Sequence, residues 1–267
     1  MLLEQLSNAF GPSGSEGEVR ELIKAAIQDD VDECQVDHLG NLLAVRRGTR
    51  RGPRMKIMVA AHMDEVGFMI THADNDGFLH FTKVGGIEDR VLPTKHLVIG
   101  PKRVPGVLIS PPIHMLSADQ RNKLTPSKDL VIDIGADKKE AAESKCKKGD
   151  YATFDTRYHP LGRGLVCGKA FDDRVGCAML VELLKRGPFP CDLHAAFTTM
   201  EEIGVRGARV AGYQSKPDVA FVLEGTICED SPREREQSPV TRLGKGPALT
   251  LADRGVIVNR KLAQCAM

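Results

Sequence analysis

The sequence predicts an α/β protein, a layered mixed sheet with helices on both faces, into which a small β-rich module is inserted. Three observations predict it. Helix-like and strand-like segments follow one another up to residue 61 and again from residue 165. From about residue 66 to 164 the texture changes to short strand-like runs separated by turn residues. Acidic residues and one histidine collect where strands end or helices begin. The expected division is a discontinuous α/β domain of residues 1–65 and 165–267 around an inserted β domain of residues 66–164.

Each element has a local reason. Residues 2–10 and 16–28 read as helices broken apart by Gly11, Pro12 and Gly14. In the second, Val19, Leu22, Ile23 and Ile27 share one face, and Ser15 is placed to cap it. Residues 34–46 alternate as a hairpin about Leu39-Gly40-Asn41, and the apolar run 55–61 reads as a buried strand. The middle carries FLHFTKV, HLVIG, VPGVLI, DLVIDIG and DYATF as strands, with one helical stretch over 138–145. The α/β alternation resumes with strands at 165–168, 193–199, 218–223 and 247–251 and helices at 173–186 and 206–211. Residues 258–267 begin a helix with Asn259 as its cap.

Composition narrows the function classes. The 267 residues are 42% hydrophobic and 27% charged with a net charge of +1, so no basic excess exists to hold nucleic acid by its phosphates. No apolar run approaches the roughly 20 residues of a membrane span. The N-terminus carries Glu4 early and lacks the basic and apolar regions of a secretory signal, so a cytoplasmic location is expected. The seven cysteines are odd in number and contain no CxxC pair, which reads as reduced packing thiols.

Four clusters carry chemistry. In AAHMDEVG, His62 and Asp64 follow an apolar strand two residues apart and point the same way if extended. An imidazole suits zinc or cobalt, and a nearby carboxylate can hold its other nitrogen. In GKAFDDRVG, Asp172 stands where a helix opens, as a cap or as an exposed carboxylate at a sheet edge. In TTMEEIGVRGA, Glu201 and Glu202 repel each other unless a positive charge is near. In FVLEGTICED, Glu224 ends an apolar strand and Asp230 follows. Singly, each cluster has a bland reading as a surface pair, a cap or a solvated loop. Together they form the set of acids and imidazole that two divalent metals about 3.5–4 Å apart require. The other histidines, His38, His72, His80, His96, His114, His159 and His194, lie in strands or loops without an acidic neighbour in sequence and read as structural.

The motifs AAHMDEVGFMITHADNDGFLHFTKVGG, GKAFDDRVG, MEEIGVRGA and LEGT resemble the glutamyl/tetrahedral aminopeptidase family of dizinc metallopeptidases, in order and spacing, from near residue 1 to about 265. The middle segment resembles that family's inserted PDZ-like dimerisation module. The resemblance implies two divalent metal ions, zinc or cobalt, and a peptide substrate whose N-terminal residue is removed. It implies that His62 and Glu224 bind one metal, Glu202 binds the other, Asp172 bridges both, Asp64 orients His62, and Glu201 is the general base. It also implies a homo-oligomer, with dimers building to a dodecamer. The family pattern calls for a further histidine in an RYxHS-like segment, and no such segment occurs in the 267 residues. The expectation is a chain shortened at its C-terminus, with an open sheet edge, weak occupancy at the Glu202 metal and impaired activity. A gene fragment or frameshift, a deliberate truncation and a shortened paralogue all fit. Two other readings stand beside the aminopeptidase: an inactive assembly subunit, and a glycoside hydrolase using paired carboxylates. The scarcity of aromatics, three Tyr, nine Phe and no Trp, weighs against a sugar cleft.

Overall fold

The computed structural model describes residues 1–115, 117, 123–228, 241–253 and 255–267. Asp230, noted in the fourth cluster, lies outside them. Two compact units are present, Met1–Glu224 and Gly225–Met267.

The first unit opens with helices α1 (Leu2–Asn8) and α2 (Gly17–Ile27). The N-cap position of α2 is Glu16, not Ser15, one residue later than the sequence indicated. The expected hairpin forms from β1 (Glu33–Val36) and β2 (Leu42–Arg46), paired antiparallel. The apolar run becomes β3 (Lys56–His62), whose last five residues are all buried, as befits a strand covered on both faces.

The chain then enters a closed six-stranded barrel. Its strands are β4 (Gly67–Ala73), β5 (Leu79–Val84), β6 (His96–Ile99), β7 (Val104–Ile109), β8 (Val131–Asp133) and β9 (Tyr151–Phe154), in the order β4-β5-β8-β7-β6-β9. A short helix α3 (Lys139–Lys145) precedes β9. Period-2 patterning sends Phe68, Ile70, Leu79, Leu97, Ile99, Leu108 and Ile132 inward. Phe68 is fully buried and meets Phe81 and Phe154 edge-on at 5.1 and 5.4 Å between ring centroids. The sequence foresaw these strands singly. Closure into a barrel depends on the β4–β9 and β6–β9 pairings, which join segments about 50 to 80 residues apart.

Strands β10 (His159–Leu161) and β11 (Leu165–Cys167) pair only with each other. The strand expected at 165–168 therefore forms a separate hairpin and does not join the main sheet. Its three residues are only partly covered, and a sheet-core strand would need burial on both faces. Helix α4 (Phe171–Arg186), β12 (Asp192–Thr198), helix α5 (Arg206–Ser215) and β13 (Val219–Val222) complete the unit. The main sheet has the order β1-β2-β12-β3-β13, with β12 and β13 parallel to β3. Helices α1, α2 and α4 cover one face through Leu6, Val19, Ile23, Cys177 and Leu180, in one core with Phe197 of β12. Helix α5 covers the other through Ala211, against Met58, Ala60 and Ala196. Within this unit β13 pairs on one side only, and Val222 is 62% exposed.

In the second unit, Ala252 and Ile257 form an isolated antiparallel bridge around a turn held by Asp253. Residues 247–251 are not a strand, because that bridge alone gives them no ladder to join. Helix α6 (Arg260–Ala266) is capped as expected: the Asn259 side chain accepts from the amides of Lys261 and Leu262 at 3.0 and 3.4 Å.

Phe68→Ala should lower stability by about 3–5 kcal/mol, the range for emptying a buried aromatic site. Urea unfolding measures it, and a loss below about 1 kcal/mol would show that the barrel interior does not rest on this ring.

Candidate metal centre

The sheet itself gathers the candidate residues. With β12 and β13 parallel to β3, Thr198 lies opposite His62 and Val222 opposite Ala60. His62 ends β3, Glu201 and Glu202 follow β12, and Glu224 follows β13, so all leave at the C-terminal edge of the parallel strands. The connection from β3 to β12 runs to one side of β3 by way of α4, and that from β12 to β13 crosses to the other side by way of α5. A crevice opens where the strand order reverses in this way. Asp172 reaches the same edge from the start of α4.

His62 is buried, and its ring is held from both ends. Nδ1 lies 3.0 Å from the Asp64 carbonyl oxygen and 3.4 Å from Asp64 Oδ1. Both partners are acceptors, which assigns the hydrogen to Nδ1. Nε2 lies 3.1 Å from Asp172 Oδ1 and 3.5 Å from Glu224 Oε2. Nε2 thus faces two carboxylates, and only positive charge at that point, a proton on the ring or a metal ion in its place, lets the three groups meet. Burial pulls the ring's pKa down, but the hydrogen bonds with Asp172, Asp64 and Glu224 outweigh it and hold the imidazole far above its ordinary range. One ligand atom each from His62, Asp172 and Glu224 falls within 4.8 Å of the others. Among the described residues this is the one such group. Its nitrogen and two oxygens suit a borderline divalent ion such as zinc or cobalt.

Asp172 is exposed because its neighbour does the capping. Both aspartates have non-helical φ/ψ, and a cis peptide joins them. Asp173 is fully buried: Oδ1 accepts from Gly176 N at 2.9 Å and Oδ2 from His62 N at 3.1 Å. Asp173 thus caps the regular turns of α4 that follow the kink at Asp172 and Asp173, and fixes the backbone of His62, while the Asp172 carboxylate faces the ring. The Cys177 thiol, pushed up by burial, donates to the His62 carbonyl from behind.

Glu202 lies outside the triad of ligand atoms. It shares with Asp172 a cavity of about 210 Å³ whose walls include Val66, Phe154 and Phe171. Burial pushes the Glu202 carboxyl up to about 7; His62 opposes this, and Asp172, Asp64 and Glu201 add to it. Burial also raises Glu201, again against His62 and with Glu224 adding. A larger cavity of about 480 Å³ opens on the α5 face of the sheet beside Cys34 and His194, and contains none of these residues.

Asp64, fully buried, does more than touch His62. Its Oδ1 accepts from Glu201 N at 3.0 Å, and its Oδ2 accepts from Glu202 N at 3.1 Å and Ser13 Oγ at 2.6 Å. Burial alone would raise its carboxyl, but the bonds to His62 and Ser13 hold it below the usual range. Asn41, also fully buried, pins the residue before this loop's turn: its Oδ1 accepts from Thr199 N at 2.9 Å. Gly207 packs so closely there that a Cβ would lie 2.3 Å from Asn41 Oδ1.

The sequence reading missed the ionic knot beneath the site. Glu65 Oε1 meets Lys169 Nζ at 2.6 Å and Arg174 Nη2 at 3.5 Å, and Glu65 Oε2 accepts from Thr153 Oγ1 of β9 at 2.8 Å. Arg174, fully buried, also donates to the carbonyls of Met63 and Leu6. Burial lowers the Lys169 ammonium, with Glu65 opposing. Each of these residues stands inside a quoted motif, but only the fold shows that they meet. Likewise His80 has an acidic partner after all: Asp74 Oδ2 lies 3.2 Å from its Nε2, because the β4–β5 turn closes a gap of six residues.

Fold and donor set together define an α/β class with a candidate metal centre at the sheet edge, and the comparisons place it among metal-dependent aminopeptidases. Residues 40–266 match the M42 glutamyl aminopeptidase family, and the chain belongs to that family. It is similar to a TET aminopeptidase from a marine sediment archaeon of the Thaumarchaeota, with 36% identity and a TM-score of 0.94 over 99% of this chain and 75% of that one. A structure of the TET1 peptidase of Pyrococcus horikoshii, described as assembling into a tetrahedron or a large octahedral shell, is similar at 33% identity and TM-score 0.84, over 99% of this chain and 79% of that one. A Thermotoga maritima structure described as an endoglucanase is similar at 35% identity and TM-score 0.83, over 98% and 78% of the two chains. Among the described residues no helix is long and apolar enough to cross a membrane.

Arg174→Ala should cost about 3–5 kcal/mol, because it leaves Glu65 with one fewer cation in a buried setting. A urea midpoint close to that of the unmodified chain would show that the knot is not a foundation of the fold.

Proposed function

We propose that the chain builds the centre of a dinuclear aminopeptidase that removes N-terminal residues from short peptides. The observation that carries the reading is the focus of His62 Nε2, Asp172 and Glu224 on one point at the edge of the sheet. In this reading those three hold one divalent ion, Asp172 is shared, and Glu202 holds a second ion from across the cavity it lines with Asp172. Zinc or cobalt bound there would acidify a water molecule and polarise the scissile carbonyl.

The chain's own residues do the rest. Asp64 keeps the proton of His62 on Nδ1, so that Nε2 stays a donor of electrons. Glu201 accepts the proton of the attacking water and passes it to the leaving amine. A carboxyl raised by burial suits a group that must both take and release a proton. Val66, Phe154 and Phe171 give the cavity an apolar wall beside the reacting groups.

The same reading divides the chain into a catalytic domain of residues 1–65 and 165–267 and an inserted dimerisation domain of residues 66–164, with a PDZ-like role for the barrel. A homo-oligomer of dimers building to a dodecamer and a cytoplasmic location belong to it as well; the Pyrococcus horikoshii relative is described as assembling into a tetrahedron or a large octahedral shell. The relative described as an endoglucanase keeps a glycoside hydrolase as the second reading. Hydrolysis of cellulose fragments, set against hydrolysis of an aminoacyl chromophore, separates the two.

Glu201→Gln should lower turnover of an aminoacyl chromophore by about 10²–10⁴-fold, as expected when a general base is removed, while metal content stays that of the unmodified chain. His62→Ala should instead lose metal. If Glu201→Gln lost as much metal as His62→Ala, the role assigned to Glu201 would be wrong.

A further inference from the structure

Residues 11–16, between α1 and α2, carry in the sequence a break between two helices and a cap at Ser15, and no link to the four motifs. The fold lays this loop along residues 63–65. Pro12 and Glu65 form a parallel bridge, Glu65 N donates to Gly11 O at 2.9 Å, and Ser13 N donates to Glu65 O at 3.3 Å. From there two buried side chains reach the candidate centre by separate routes. Ser13, 2% exposed, donates its hydroxyl to Asp64 Oδ2 at 2.6 Å. Glu16, 4% exposed, accepts at Oε1 from Gly14 N at 2.7 Å and from Met200 N at 3.2 Å.

Both contacts bear on residues that have to be held still. Met200 has a φ of +54°, in the left-handed region that costs a side-chain-bearing residue about 1–2 kcal/mol. Glu16 ties down the amide of this residue, which directly precedes Glu201 and Glu202. Asp64 has four partners on two oxygens, and Ser13 supplies the shortest bond among them. Ser13 is also a neutral donor. A lysine or arginine there would neutralise the carboxylate, whereas a hydroxyl orients it and leaves its charge for His62.

We propose that Ser13 and Glu16 are positioning residues of the metal centre, Ser13 by locking the Asp64 carboxylate beneath His62 and the 201–202 loop, Glu16 by clamping that loop through Met200. The inference rests on the metal reading above and adds to it a brace from the N-terminal segment. The two residues act on different parts of the centre. Glu16 acts through Met200 on the loop that carries Glu201 and Glu202, whereas Ser13 acts through Asp64 on that loop and on His62 as well.

The test is titration of the unmodified chain and of Ser13→Ala, Ser13→Thr, Glu16→Ala and Glu16→Gln with cobalt chloride, followed by the visible absorption of bound cobalt. Unfolding curves are recorded alongside. Removing a partner of a metal-holding group commonly weakens metal binding about 10–100-fold. Ser13→Ala should therefore weaken cobalt binding by about 10-fold or more and alter the spectrum of every bound ion. Glu16→Ala should weaken the less tight binding step and spare the tight one. Ser13→Thr and Glu16→Gln, which keep a hydroxyl and an acceptor oxygen, should restore affinity. A purely structural role would lower the unfolding midpoint and leave cobalt affinity unchanged below it. Should Glu16→Ala not fold, Glu16→Asp, one methylene too short to reach Met200, gives the same reading. Folded Ser13→Ala and Glu16 variants with unaltered affinity and spectrum overturn the inference alone. An unmodified chain that takes up no cobalt overturns it together with the metal reading.

Discussion

The buried carboxylate of Asp64 is the contact on which the candidate centre depends. It lies within reach of the His62 ring, the amides of Glu201 and Glu202, and the Ser13 hydroxyl. These partners come from the end of β3, from the loop after β12, and from the turn between α1 and α2. A buried carboxylate is costly unless its lone pairs are occupied. The cost is offset only when the three segments arrive together, so the same condition that makes Asp64 tolerable assembles the centre.

A second buried charge set performs a related task below it. Glu65 directly follows Asp64 in sequence, yet it faces Lys169, Arg174 and Thr153. Through these contacts the first barrel-leading residues, the strand β9 and the start of α4 are fixed to one point. Arg174 adds bonds to carbonyls of α1 and of the segment after β3. Hydrogen bonds to charged groups are each worth about 1.5–3 kcal/mol, and breaking a buried pair leaves an uncompensated charge. The barrel and the main sheet are therefore held in register near the cavity that Asp172 and Glu202 share.

Much of this was legible in the chain. Apolar runs and turn residues marked β3, the β1–β2 hairpin, the barrel strands and α4 within a few residues. The acids and the histidine of the four motifs were visible because each interrupts an apolar strand or opens a helix. What remained hidden lies between segments. Asp172 and Asp173 are chemically identical in the sequence, and only the family resemblance singled out Asp172 as the metal-facing acid; the physical reason lies in the fold, where Asp173 accepts the Gly176 amide and Asp172 faces the ring. The run at 165–168 has strand composition but pairs only with residues 159–161, so local propensity named the conformation without naming the partner.

The sequence by itself determined the periodicities, the positions of the acids relative to strand ends, and the family to which the chain belongs. These are local properties or linear patterns, and they survive without knowledge of distance. The tertiary structure decided which donors share a focus, which residue caps and which one faces the cavity, and that Ser13 and Glu16 lie against residues some 50 and 180 positions away. Those outcomes depend on closure of long loops and on satisfying buried polar atoms, and a linear pattern contains neither.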